Sequence, residues 1–165
     1  MKLVNHAAYG KIQKDPPAWL PLLDHMTDVA YCFERLCRCQ FTRRALEKAA
    51  ERSLAEQDIA RLSVVAFLYD RGKANSGFQV RRWHHKERPS YWPDPTGHGR
   101  ETILLFSDSS FAHLSDALPL EQMYEWGEEA LDHLLTASIS HHGQPIVDDP
   151  STLSVSLSPA NWKPV

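Results

Sequence analysis

The sequence predicts an all-α fold, and three observations support this class. Apolar residues recur at three- and four-residue steps over residues 19–38 and 120–142, and residues 62–70 form a mostly apolar helical stretch. Strand signals are poor apart from a short alternating run over residues 153–157. With 165 residues, of which 42% are hydrophobic and 24% charged, the chain is long enough for one domain with its own core.

Three helices are predicted in the first half of the chain. They cover Trp19–Arg38, Arg43–Leu54 and Glu56–Asp70. The first is amphipathic, the second is rich in residues with good helix propensity, and the third is apolar enough to be central and buried. The residues before the first helix are a polar lead-in without a predicted element.

The second half of the chain is less regular. Residues 71–100 contain prolines, glycines and aromatic side chains without any period, which predicts a long loop that is either functional or partly disordered. A short helix is predicted over Gly99–Phe106 and a long one over Leu120–His142. The Pro- and Ser-rich tail from Gly143 has no convincing element beyond the alternating run.

Charge and cysteine content narrow the function classes. The net charge is -3, so the chain lacks the basic coat of a protein that binds nucleic acid tightly and without specificity. Neither a signal peptide nor a membrane-spanning run is visible, which predicts no membrane partner. The three cysteines, Cys32, Cys37 and Cys39, favour a reducing cytoplasm over a disulfide framework or structural zinc.

The most informative motif is the end of the third predicted helix. An apolar run ends on Asp70, and Gly72 and Lys73 follow at once. In the last turn of a helix, the macrodipole alone would favour a cation over a carboxylate. A carboxylate placed there beside a lysine is what a metal and phosphate site needs, although a lone aspartate at a helix end can also bind a loop amide.

Four histidines join Asp70 as candidate metal ligands. His25 lies on the inner side of the first helix, where a lone histidine is more often a core residue, and His98 lies between two glycines. The doublet of His141 and His142 is the stronger signal, because it ends an apolar helix directly before a glycine. Imidazole and carboxylate together suit manganese, iron, cobalt, nickel or zinc better than calcium.

These residue types are suited to phosphodiester hydrolysis. Two divalent ions bridged by a carboxylate could generate hydroxide and hold both oxygens of a phosphodiester displacement. Lys73, one turn beyond Asp70, could neutralise a phosphate oxygen as charge develops. Asp70 and Lys73 are therefore the candidate catalytic residues.

Several segments that contain these residues follow one another in a specific order. They are Tyr9–Lys11, Trp19–Ala30, Phe67–Gln79, Gly97–Gly99 and Ser140–Pro145. In this order they resemble the HD-nuclease domain of the type I CRISPR-associated helicase–nuclease family, over about Tyr9 to Pro145. Buried histidines that are merely hydrogen-bonded would leave the order of these motifs unexplained.

The resemblance implies an HD-domain phosphohydrolase-like helical bundle, a single HD-type nuclease domain over residues 1–165. It also implies a metal-dependent hydrolase, an endonuclease that cuts single-stranded DNA in CRISPR interference, which is an antiviral defence. One or two divalent ions (Mn, Ni, Co, Fe, Zn or Mg) are implied, with Lys73 contacting phosphate. The ligands implied are His25, Asp70, His98, His141 and His142. The implied partners are single-stranded DNA, the CRISPR helicase and the RNA-guided surveillance complex.

Two departures from the family pattern leave other functions open. Tyr69 stands where the family has a histidine, and a phenol with a pKa near 10 is a poor ligand at neutral pH, so this is a degenerate ligand position. We also expect the chain to lack the family's C-terminal helix and the helicase. The alternatives are a catalytically degenerate HD fragment acting as a binding module, and an HD phosphohydrolase of small nucleotides, because a fold does not decide its substrate.

Overall fold

A computed structural model describes residues 8–13, 18–82, 90, 93–99, 101–102 and 120–140. This part of the chain is mostly helical, which confirms the predicted all-α class. A short two-stranded sheet is added at the start. None of the helices within these residues is long and apolar enough to cross a membrane.

The sheet occupies part of the predicted polar lead-in. Strand β1 (Tyr9–Gln13) pairs antiparallel with β2 (Ala18–Pro21), and the register is irregular between Tyr9 and Lys11. The prediction that the lead-in has no regular structure is wrong, and so is the prediction that the first helix starts at Trp19. Trp19 pairs with Ile12 in the sheet, a contact between two short segments that no helical periodicity signals.

Five α-helices follow within the described residues. They are α1 (Leu22–Cys37), α2 (Gln40–Ala50), α3 (Glu56–Leu68), α4 (Ser76–Gln79) and α5 (Glu128–Ile139). Helix α2 begins and ends earlier than predicted. It ends at Ala50 because Glu51 adopts a left-handed conformation with φ of 53°. Helix α3 ends at Leu68, so Asp70 lies in the turn beyond the helix and not in its last turn.

The segment after Asp70 is more regular than predicted. A 3₁₀ turn over Arg71–Ala74, helix α4 and a 3₁₀ turn over Val80–Arg82 follow one another. The side chain of Asn75 accepts the backbone N–H of Phe78 and so caps α4. Further on, residues 93–97 have no regular structure, and residues 99 and 101–102 are helical.

The long helix predicted over Leu120–His142 is interrupted. Residues Leu120–Trp126 form a 3₁₀ segment, and α5 begins only after Gly127, whose φ of 91° is a conformation that favours glycine. Helix α5 ends at Ile139. The doublet of His141 and His142 and the alternating run over residues 153–157 lie outside the described residues, as does most of the predicted helix over residues 99–106.

Helix α3 lies at the centre, as predicted, and packs against α1 and α5. One core cluster consists of Val65, Leu68, Met123, Leu131 and Leu135. A second joins the end of α1 to the start of α3 and consists of Cys37, Leu54 and Ile59. Leu36, near the end of α1, lies outside both clusters and is 57% exposed.

Candidate functional site

The centre of the candidate site is the carboxylate of Asp70, which is only 1% exposed. Its Oδ2 lies 2.9 Å from His25 Nε2 and 2.6 Å from Lys73 Nζ, and its Oδ1 lies 3.1 Å from His98 Nε2. These partners come from α1, from the turn after Asp70 and from the loop that ends at residue 99. The structure therefore brings four of the predicted site residues into direct contact.

His25 lies on α1 and is buried on the side of the helix that faces β1. An added Cβ on Gly10 would lie 2.7 Å from the Cβ of His25, so only glycine lets β1 approach this closely. The carbonyl oxygen of Gly10 accepts a hydrogen bond of 3.2 Å from Lys73 Nζ. The same strand thus covers one predicted ligand and orients the predicted phosphate contact.

Tyr69, the degenerate ligand position, lies inside this cluster. Its phenol oxygen is 2.5 Å from His25 Nε2, and the two rings meet edge to face at 5.7 Å. The phenol is also hydrogen-bonded to Asp70. Tyr69 therefore contacts two of the predicted ligands.

Burial and neighbouring charges set the protonation states of the cluster. Burial raises the pKa of the Asp70 carboxyl, but hydrogen bonds from His98, Lys73 and Tyr69 outweigh it and hold this pKa well below its usual value. Burial, and next the charge of Lys73, lower the pKa of His25. Burial, with the hydrogen bond to Asp70, raises the pKa of Tyr69. At neutral pH the site thus holds a carboxylate, a neutral His25 imidazole and a neutral phenol, and a neutral imidazole can bind metal.

Asn75 joins the turn after Asp70 to the loop that carries His98. Its side chain is fully buried, and its Nδ2 donates to the carbonyl oxygens of Gly72 at 2.6 Å and Gly97 at 3.0 Å. Its Oδ1 accepts from the N–H of Phe78 at 2.8 Å and from the hydroxyl of Thr96 at 3.0 Å. Asn75 therefore positions the His98 loop against the Asp70 turn.

Gln79 has a similar role toward the first strand. Its Nε2 donates to the carbonyl oxygens of Lys73 at 2.6 Å and Tyr9 at 3.1 Å, and its Oε1 accepts the N–H of Tyr9. The hydroxyl of Tyr9 in turn donates to the carbonyl oxygen of Phe78. The backbone of Lys73 is thus tied to β1 through one buried amide.

At Gly72 the turn after Asp70 packs closely against His98 and the segment that follows it. Its N–H donates to the Thr102 hydroxyl at 2.9 Å, and that hydroxyl donates to the carbonyl oxygen of His98 at 2.8 Å. Thr102 is fully buried. This chain of two hydrogen bonds fixes the backbone of His98 beside Asp70.

Sequence analysis did not identify three residues that position the site, namely Asn75, Gln79 and Thr102. An asparagine directly before a helix is a capping signal, so Asn75 could have been recognised as the start of α4. Nothing local marks Thr102, because its role depends on Gly72, which lies far from it in sequence. His141 and His142 lie outside the described residues, and their place relative to Asp70 stays a prediction.

The spacing of the donor atoms around Asp70 bears on whether they could hold a divalent ion. In octahedral coordination, ligand atoms at about 2.1 Å from one ion and at right angles to each other lie about 3 Å apart. The contacts of Asp70 with His25 and His98 have this spacing, one on each carboxylate oxygen. In the described part of the chain no group of three His, Cys, Asp or Glu side chains forms a complete metal site. Asp70, His25 and His98 thus supply ligand types suited to a divalent ion, with one imidazole at each oxygen of the carboxylate.

Comparison with known proteins identifies a family. The family model described as the HD domain of Cas3 matches residues 9–164. No curated protein and no solved structure matched the chain. The matched range contains each predicted ligand and covers nearly the whole chain.

Proposed function

The chain belongs to the Cas3 HD-domain family, a family of CRISPR-associated HD nucleases, and from this premise we propose that it is a metal-dependent nuclease acting on single-stranded DNA. The proposed ligands are His25, Asp70 and His98, together with His141 and His142. The proposed partners are the CRISPR helicase and the RNA-guided surveillance complex, in the cytoplasm.

One observation carries this proposal. A buried, ionised carboxylate has one imidazole nitrogen on each of its two oxygens. Imidazole nitrogens on both oxygens of one carboxylate are ligand types suited to divalent transition-metal ions, and a carboxylate between two imidazoles could help to hold two such ions. Divalent ions bound there would activate water and neutralise charge on the phosphodiester.

The remaining side chains have separate roles in the proposal. Lys73 is held by Asp70 and by the carbonyl oxygen of Gly10, so its ammonium has a fixed position near the ligands. It can exchange one of these contacts for a phosphate oxygen as negative charge develops there. His25 supplies a neutral imidazole nitrogen, since the pKa of this side chain is lowered.

A second candidate function is a catalytically degenerate binding module, and one observation favours it. The oxygen of Asp70 that faces His25 already accepts the ammonium of Lys73, and the nitrogen of His25 is in contact with the phenol of Tyr69. The chain's own groups thus satisfy these atoms. Metal binding on this side has to displace two contacts.

The first experiment is a cleavage assay on circular single-stranded DNA with manganese or nickel. The wild type is compared with Asp70→Ala and with a chelator. Asp28→Ala is the matched control, because it removes an exposed carboxylate from α1. We expect cleavage by the wild type and the control, and none by Asp70→Ala or with chelator. Cleavage by Asp70→Ala would disprove the site.

The same assay separates the alternatives. A folded wild-type protein that binds the DNA without cutting it would favour the binding module. Release of phosphate from mononucleotides, with circular DNA left intact, would favour a small-nucleotide phosphohydrolase. Folding is checked in each case by circular dichroism and thermal unfolding.

Tyr69→His tests the degenerate position directly. Histidine there adds an imidazole next to His25, so we expect manganese affinity and cleavage to rise by about tenfold or more. Tyr31→His, on an exposed position of α1, is the control and should change neither. A loss of both affinity and cleavage in Tyr69→His would mean that the phenol has a positive role.

A further inference from the structure

The two oxygens of the Asp70 carboxylate have different neighbours. Beside Oδ2 lie the ammonium of Lys73 at 2.6 Å and the imidazole of His25 at 2.9 Å. Beside Oδ1 lies the imidazole of His98 at 3.1 Å. A divalent ion shared by Asp70 and His25 would therefore meet a cation that is already bound to the same oxygen.

Lys73 is held in this position from several directions. Its ammonium also donates to the carbonyl oxygen of Gly10 at 3.2 Å, and its side chain is only 12% exposed. Its backbone N–H donates to the carbonyl oxygen of Asp70, and its own carbonyl oxygen accepts from Gln79. Like charges on one oxygen repel each other, and in a buried site little water screens that repulsion. An ion on the Oδ2 side must therefore displace the ammonium first.

Tyr69 obstructs the same side at the imidazole of His25. Its phenol oxygen lies 2.5 Å from Nε2, the ring nitrogen that faces Oδ2 of Asp70. Two ligand atoms of one octahedral ion lie about 3 Å apart, so the phenol oxygen and Nε2 are too close to share an ion as they stand. Both the phenol and the ammonium must move before an ion can join His25 to Asp70.

His98 is positioned by contacts that do not involve its Nε2 atom. Its backbone carbonyl oxygen accepts the Thr102 hydroxyl at 2.8 Å, and its ring meets the ring of Phe78 edge to face at 5.0 Å. An ion that binds Nε2 and Oδ1 of Asp70 leaves both of these contacts in place. The imidazole is thus oriented in advance as a ligand on the Oδ1 side.

We infer that the first divalent transition-metal ion binds at Asp70 and His98, and that Lys73 and Tyr69 close the His25 side to a second ion. The inference rests on the proposed function and narrows it, because the two sides of the carboxylate then bind ions with unequal affinity. His25 becomes a ligand only after the phenol and the ammonium have moved. Until then, the ammonium supplies the positive charge on Oδ2 that a second ion would otherwise supply.

The test is a manganese titration of the full chain, followed by calorimetry and by electron paramagnetic resonance. We expect one ion per chain with the spectrum of an isolated ion, and a second ion bound at least about tenfold more weakly. Two ions of equal affinity, seen as an exchange-coupled pair, would overturn the inference and leave a metal-dependent nuclease standing. A folded chain that binds no manganese would overturn the proposed function itself. One bound ion without DNA cleavage would contradict the nuclease proposal and support the inference.

Two matched variants identify the side that binds the first ion. In His98→Gln we expect the affinity for the first manganese ion to fall by about tenfold or more, whereas in His25→Gln it should stay within about threefold of the wild type. The reverse order would overturn the inference. Circular dichroism checks that both variants fold. A zinc titration of the wild type gives the same information without a substitution, since the imidazole resonances of His98 should shift at the first equivalent and those of His25 should not.

A double variant, Tyr69→His with Lys73→Met, removes both groups that close the His25 side. The new imidazole is a ligand, and the methionine has no charge to compete with an ion. We expect this variant to bind two manganese ions with similar affinity and to show the spectrum of an exchange-coupled pair. Tyr31→His with Lys48→Met, at exposed positions of α1 and α2, is the matched control and should bind one ion as the wild type does. A folded double variant that still binds a single ion would overturn the role assigned to Tyr69 and Lys73.

Discussion

Replacing Gly72 with alanine tests whether close backbone packing holds the candidate ligands together. An added Cβ would lie 1.8 Å from the carbonyl oxygen of His98 and 2.2 Å from the hydroxyl of Thr102. Ordinary contacts of this kind are about 3.5 Å or longer. Because the nearer atom belongs to the backbone, no rotamer change relieves the clash, and the segment around His98 must move by roughly 1.5 Å.

The cost follows from what this movement breaks. The two buried hydrogen bonds that join Gly72, Thr102 and His98 are lost, at about 1–3 kcal/mol each. Forced repacking adds about 1–3 kcal/mol. We therefore expect the free energy of unfolding to fall by about 3–9 kcal/mol and the melting temperature by about 10 °C or more. Manganese affinity should fall as well, since His98 moves away from Asp70.

Gly97→Ala is the matched control for this substitution. The nearest neighbour of an added Cβ there is a carboxylate oxygen of Glu101 at 3.6 Å, an ordinary contact. Its free energy of unfolding should stay within about 0.5 kcal/mol of the wild type. Chemical denaturation and calorimetric manganese titration measure both variants side by side. Equal stability of Gly72→Ala and Gly97→Ala would refute the packing argument.

Three further predictions concern stability. Asn75→Ala should lower the free energy of unfolding, measured by urea titration, by about 3 kcal/mol, because four buried hydrogen bonds are lost. Asn75→Ser should recover about 1 kcal/mol of this by restoring the cap of α4. A loss below about 1 kcal/mol in the alanine variant would contradict the proposed role. Hydrogen bonds from Arg52 hold the pKa of Asp58 well below its usual value, so the stability it contributes is present above about pH 4 and is lost as the pH falls through the folded pKa. Thermal unfolding of Asp58→Asn should therefore depend less on pH on the acid side, and an unchanged acid limb would refute this. Burial raises the pKa of Tyr9 to about 12, so its stabilisation is complete below about pH 10 and is lost as the pH rises through about 12. Tyr9→Phe should remove this alkaline dependence, and a tyrosine absorbance titration of the wild type that shows no group titrating near pH 12 would count against it.

Much of the fold could be predicted because helices are local. The apolar spacing that predicts α1, α2 and α3 is a property of neighbouring residues, and all three exist within a few residues of the predicted bounds. The errors occur where a local conformation or a distant contact decides. Gly127 interrupts the last predicted helix through its positive φ, and β1 exists only because β2 pairs with it.

For the site, the sequence alone determined which residue types are available and in what order they come. Carboxylate, lysine and histidines in this order indicate a metal and phosphate site and the HD family, which the family match supports. Their convergence on one carboxylate was decided by the tertiary structure. Hydrogen bonds between distant backbone segments, such as those of Asn75 and Gly72, place His98 and Asp70 in contact. Such contacts depend on distances in space, which no periodicity along the chain encodes.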